Sequence, residues 1–137
     1  MKTSLLCALA FGLGLAAMPA LAHHSFAAEY DNKKPIDLTG TVTKVEWMNP
    51  HARFYLDVKD DKGTVTNWEF ELGSPNGLMR QGWTRNSMKI GDSISVQGSK
   101  AKDGSNLANA RTVKLSDGKK LFAGSASETG RDEKKEQ

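Results

Sequence analysis

Two stretches of alternating side chains joined by a tight turn constrain the fold more than anything else in this chain. Ala52, Phe54, Leu56 and Val58 alternate with Arg53, Tyr55, Asp57 and Lys59. Thr66, Trp68, Phe70 and Leu72 then alternate with Asn67, Glu69 and Glu71. A period of two puts one set on each face of a pleated strand, so both segments are half-buried β-strands. Asp60-Asp61-Lys62-Gly63 lies between them and supplies a glycine for positive φ, which makes the pair a hairpin.

The flanking segments speak the same language. Upstream, Leu38, Gly40 and Val42 share one parity and Val45 and Trp47 the other, as a β-bulge would produce. Asn49-Pro50 ends that strand in a turn. Downstream, Ser74-Pro75 reads as an N-cap and first helical residue, with Gly82 closing a short helix after Leu78 and Met79. Asn76-Gly77 leaves a hairpin turn as the alternative. Lys89-Ile90-Gly91-Asp92 turns the chain into a fourth strand with Ile94 and Val96 inward and Gly98 at its end. After a Lys102-Asp103-Gly104-Ser105 turn, Ala108, Ala110, Val113 and Leu115 predict a fifth strand with a second bulge, followed by a turn at Ser116-Asp117-Gly118. Five strands, a bent first one and a helix between the third and fourth match an all-β, OB-fold-like Greek-key barrel. A β-sandwich would usually need about seven strands.

The N-terminus sets an address. Lys2 precedes an apolar run over Leu5–Ala17, Met18-Pro19 breaks it, and Ala20-Leu21-Ala22 offers small residues to a signal peptidase. The run is shorter than the ~20 apolar residues a membrane span needs. The expectation is therefore a signal peptide over 1–22, a polar leader over 23–36 with Phe26 and Tyr30 as packing anchors, a barrel over 37–123 and a disordered tail over 124–137. The mature protein would be periplasmic or secreted, with no membrane span. Cys7 is the sole cysteine, so the mature chain would hold no disulfide, thiolate site or catalytic thiol. Without Lys2, 18 basic residues face 16 acidic ones, and the two signs are interspersed. No basic stripe marks a nucleic-acid partner.

Several short motifs run through this region: His23-His24-Ser25-Phe26, Gly40-Thr41-Val42, Glu46-Trp47-Met48-Asn49-Pro50-His51 and Gly73-Ser74-Pro75-Asn76. Gly82-Trp83-Thr84-Arg85, Lys89-Ile90-Gly91-Asp92 and Ala101-Lys102-Asp103-Gly104 complete them. On these residues the chain resembles a family of uncharacterised secreted Gram-negative proteins built on a domain of unknown function. The resemblance runs from His23 to about Leu121. It implies the OB-like barrel and export, and it implies no activity. A looser likeness, of fold alone, is to small periplasmic OB-fold stress proteins.

The chain's 3 histidines, His23, His24 and His51, form the sharpest site hypothesis. Cleavage after Ala22 would make His23 the first residue, and its α-amine and imidazole could then chelate one metal ion. Both groups shed protons near neutral pH. A third nitrogen from His51, in the loop between the first two strands, would complete a nitrogen set suited to Cu(II). His24 is an alternative imidazole. The bland readings are a frayed terminus for His23 and His24, and a backbone hydrogen bond for His51 that fixes the Asn-Pro turn.

Trp47, Trp68 and Phe70 read as core, Trp83 as partly exposed, and Glu46, Glu69 and Glu71 as ordinary solvated charges. No nucleophile elbow or phosphate loop is present, so no catalytic residue is assigned. Three functions remain open: a copper-binding protein, a metal-free module whose mouth takes an envelope ligand or protein through Arg53, Tyr55 and Trp83, and a copper redox enzyme.

Overall fold

The computed structural model describes residues 26–124. The expected signal peptide, His23, His24 and nearly all of the expected tail lie outside them. A four-residue helix α1 (Phe26–Glu29) leads into β1 (Tyr30–Glu46), followed by β2 (Arg53–Lys59) and β3 (Val65–Glu71). Helix α2 (Pro75–Arg80), β4 (Ser93–Ala101), β5 (Leu107–Lys114) and a short β6 (Lys120–Phe122) complete the order.

β1 pairs antiparallel with β2 along its second half and with β4 along its first. β2 pairs with β3, β4 with β5, and a parallel β3–β5 contact at Glu69–Glu71 closes the ring. The circuit β1-β2-β3-β5-β4-β1, with a helix between β3 and β4, is the OB-type barrel expected from the sequence. β6 is an addition, laid against β5 after the Ser116–Gly118 turn.

Both expected bulges are present. Between Val42↔Leu56 and Lys44↔Tyr55 the β1 register slips, leaving Thr43 as the extra residue. Between Gln97↔Thr112 and Gly98↔Ala110 it slips again, leaving Arg111 extra on β5. Each slip flips side-chain parity, which lets one strand serve two differently facing neighbours.

Two strand limits differ from the expectation. β1 begins at Tyr30 and not Asp37, because the backbone of Tyr30 and Asp31 pairs with Ala101 and Lys100. The polar run Asp31-Asn32-Lys33-Lys34 hides this from a hydrophobic pattern. β4 does not end at Gly98 but runs on to Ala101. Gly98 instead permits close approach: a Cβ there would lie 1.8 Å from the Asn109 carbonyl oxygen.

The helix alternative wins at Ser74-Pro75-Asn76-Gly77. The Ser74 hydroxyl accepts from the Gly77 N–H at 3.2 Å, Pro75 takes the first helical turn, and Gly82 leaves at φ 94°. Leu78 on this helix is fully buried in the barrel. The core is built on Phe54 and Phe70, cross-strand partners whose rings stack at 4.9 Å. Burial of each such side chain stabilises by about 1.5–3 kcal/mol. Trp47 and Trp68 pack against this core half-buried.

The expectation for Trp83 is corrected. Its ring is buried, and its indole N–H donates to the Phe122 carbonyl at 2.7 Å. No helix among the described residues is long and apolar enough to cross a membrane.

Candidate functional site on the β1–β2–β3 face and its loop

Strand register alone assembles the polar face. Arg53 sits opposite Glu46 on one side and Glu71 on the other, and Tyr55 sits opposite Lys44 and Glu69. All six point away from the core, because Val45, Phe54 and Phe70 occupy the inward parity. The result is a checkerboard of three carboxylates, two cations and a phenol. Cross-strand neighbours at this spacing interact directly.

The geometry ties the squares together. Arg53 Nη1 donates to Glu69 Oε1 at 2.5 Å, and its Nη2 lies 3.5 Å from Glu71 Oε2. Lys44 Nζ pairs with Glu46 Oε1 at 2.5 Å while sitting over the Tyr55 ring, 5.0 Å from its centroid. The Tyr55 hydroxyl donates to Glu46 Oε2 at 3.2 Å. From the far end of β1, the buried Tyr30 hydroxyl donates to Glu71 Oε2 at 3.1 Å.

The electrostatics follow from these contacts. Loss of solvent pulls the Arg53 guanidinium down, but the Glu69 bond and the charges of Glu69 and Glu71 outweigh it and hold the group above its usual value. The Lys44 bond keeps the Glu46 carboxyl below the usual carboxylate range. Burial, followed by the charge of Glu71, pushes the Tyr30 phenol far above its ordinary value; burial with Glu69 and Glu46 raises Tyr55 as well. The acidic residues expected to be plain solvated charges are therefore members of a network. The β2–β3 half was readable from hairpin register. The β1 half was not, because the bulge at Thr43 decides which β1 side chains face Arg53 and Tyr55.

His51 stands at the edge of this face, in the β1–β2 loop beside a cis Asn49–Pro50 bond. Its Nδ1 lies 2.8 Å from the Leu72 carbonyl oxygen and 3.6 Å from Glu71 Oε1. A carbonyl oxygen only accepts, so Nδ1 carries a proton and donates. In the neutral ring Nε2 then holds the lone pair, and it has no hydrogen-bond partner among the described residues. The bland reading of His51 is thus present, as one bond to one backbone carbonyl. It leaves the other nitrogen uncommitted. Among the described residues no group of three or more His, Cys, Asp or Glu side chains is arranged to hold a metal ion. The structure does not bring His51 together with His23 or His24, which lie outside its described range.

Beside the loop is a shallow cleft of about 260 Å³, open mouth included. Trp47, Phe54, Trp83 and Met88 form apolar walls, and Arg53 and Arg85 are also among the lining residues. Trp83 thus belongs to the neighbourhood of Arg53 as expected, but as a fixed wall and not an exposed ring.

Neither the curated proteins nor the solved structures contain a match to this chain. Residues 12–110 match DUF6152, a family of unknown function, and the chain belongs to that family.

Proposed function

We propose that this protein is an exported binding protein that takes one Cu(II) ion between its mature N-terminus and His51. The observation that carries the reading is the state of His51. A ring that donates Nδ1–H to a backbone carbonyl presents Nε2 as a ligand in one orientation, the usual outer-shell arrangement of a metal-binding histidine. The Glu71 carboxylate, 3.6 Å from His51 Nδ1, favours a cation over an anion at this edge.

Two residues, His24 and Ser25, lie between His23 and Phe26, and the three Cα–Cα steps reach about 10 Å in extended chain. Phe26 packs on Tyr30 with ring centroids 5.4 Å apart, Tyr30 bonds Glu71, and Glu71 borders His51. This continuity supports an amino end that arrives at the loop. A free amine and imidazole on His23, with His24 as alternative imidazole, would supply the donors that residues 26–124 lack.

Intact mass under native conditions, on protein isolated from the periplasm, tests cleavage after Ala22 and the bound metal together. Copper stoichiometry of one, lost in His51→Ala and weakened by one extra residue before His23, is the expected result. A His51→Ala protein that binds as tightly as its parent would remove His51 from the site.

A metal-free reading is favoured by a separate observation, the cleft beside the loop. Here the barrel takes an envelope ligand or protein partner through the Arg53–Tyr55 region, with Trp83 as part of the wall. Substitution of Arg53 and Tyr55 with no change in partner binding would remove it.

A further inference from the structure

We propose that the β1–β2 loop also holds copper in its reduced state, Cu(I), with the Met48 thioether joining His51 as a ligand. The assignment rests on the copper reading of His51 and adds a second oxidation state to it. Register, exposure and donor chemistry each lead there.

β1 and β2 pair as Lys44↔Tyr55, Val45↔Phe54 and Glu46↔Arg53. Two more steps of the same count set Trp47 opposite Ala52 and Met48 opposite His51, with Asn49-Pro50 as the link. Packing agrees with that count: Ala52 is buried in the core and Trp47 packs against it half-buried. Alternation then sends Met48 and His51 to the outer parity, the one Glu46 and Arg53 occupy. His51 lies on that side, its Nδ1 3.6 Å from Glu71 Oε1. Opposed positions of an antiparallel pair hold their Cβ atoms about 4.5–5.5 Å apart, a span that two side chains can close on one ion.

Exposure separates Met48 from the other methionines of the described residues. Met88 is buried, whereas Met48 is 56% exposed. Met79 is 51% exposed but belongs to α2. A single apolar side chain in water needs no explanation by itself. Met48 differs in what stands across the turn, a ring whose Nδ1 is committed to the Leu72 carbonyl and whose Nε2 keeps its lone pair.

Donor chemistry names the ion. Thioether sulfur is soft and selects Cu(I), while imidazole serves copper in either state. A thioether also has no proton to shed, unlike the nitrogen donors of the amino end. Nitrogen from His51 and the amino end suits Cu(II), and sulfur from Met48 lets the same loop keep the ion once it is reduced.

The test uses protein isolated from the periplasm and stripped of metal. It is titrated with Cu(I) in the absence of oxygen against a chromophoric Cu(I) chelator, and separately with Cu(II). One Cu(I) per chain is expected, bound at least about tenfold more weakly by Met48→Leu, since loss of an outer-shell partner alone costs that much. Cu(II) binding by Met48→Leu should stay near the parent's, and Met79→Leu should change neither. X-ray absorption of the Cu(I) protein should show a sulfur neighbour that Met48→Leu lacks. Met48 is exposed, so leucine there should preserve the parent's amide dispersion. A Met48→Leu protein that holds Cu(I) as tightly as its parent would overturn the thioether assignment and leave the Cu(II) reading standing. Met48-dependent Cu(I) binding without Cu(II) binding would support the loop site and remove the Cu(II) reading. A protein that binds no Cu(I) would overturn the proposal, whatever it does with Cu(II).

Discussion

The most exposed commitment of this fold is the crossing of β4 and β5 at Gly98, and Gly98→Ala tests it directly. A methyl group there would sit 1.8 Å from the Asn109 carbonyl oxygen, 2.9 Å from its carbon and 3.3 Å from Ala110 Cα. All three are backbone atoms, so no side chain can swing aside. Contacts below 3.0 Å are essentially never seen for a real Cβ, so the strands must part by more than 1 Å next to the Arg111 bulge. Overpacking of this kind costs about 1–3 kcal/mol. Losing two ladder hydrogen bonds costs about 1 kcal/mol each, for a combined penalty of about 3–5 kcal/mol.

That is a large share of the roughly 5–15 kcal/mol that stabilises a domain of this size. Urea unfolding followed by far-UV circular dichroism should report it, with a melting temperature lower by on the order of 15–25 °C. Gly91→Ala is the control. Gly91 has φ 94°, and a methyl group placed on it would meet nothing within 4 Å, so only backbone strain of about 1–2 kcal/mol applies. A Gly98→Ala protein within about 1 kcal/mol of its parent, or no worse than Gly91→Ala, would refute the close β4–β5 crossing.

Other outcomes follow from individual contacts. The chain's 2 tyrosines, Tyr30 and Tyr55, are both raised, so phenolate absorbance should develop at higher pH in the folded protein than in the unfolded chain. The unfolded chain loses those protons near pH ~10 while the folded one keeps them, so stability is intact below that pH and declines above it; an ordinary titration in a still-folded chain would contradict the burial of Tyr30. Trp83→Phe removes the donor to the Phe122 carbonyl and should cost about 1–3 kcal/mol in urea unfolding. Ser74→Ala should cost about 1 kcal/mol by loss of the α2 cap, measured the same way. Long-range ¹H–¹⁵N correlation on the neutral His51 ring should find the proton on Nδ1; a proton on Nε2 would contradict the bond to Leu72.

What could be read from the sequence was whatever repeats with a period of two. Phe54, Leu56, Phe70 and Leu72 announced a hairpin, and the shifts of parity around Val42–Val45 and Ala110–Val113 announced bulges that the pairing places at Thr43 and Arg111. What could not be read depends on partners far along the chain. Trp83 looked like a loop residue because the carbonyl it needs belongs to Phe122, thirty-nine residues on. The start of β1 was hidden because backbone pairing with Lys100 and Ala101 holds it, and backbone bonds leave no hydrophobic signature. The carboxylate network escaped for a related reason: Glu46 meets Arg53 only through the β1–β2 register. His51 was legible as a loop residue, but the choice of its donating nitrogen follows from the carbonyl of Leu72, just past the end of β3.

The shared role of β1 has a consequence for how such a chain can mature. Its first half waits for Ser93–Ala101, so the earliest segment to emerge in any head-first delivery is among the last to find its mate. Barrels closed by distant pairings of this kind form slowly compared with locally connected folds. In the interval a long bare strand would invite association with other chains. Lys33, Lys34 and Pro35, at the register slip between Asp31 and Pro35, interrupt that strand with charge and a missing N–H, and so act as gatekeepers until the late partner arrives.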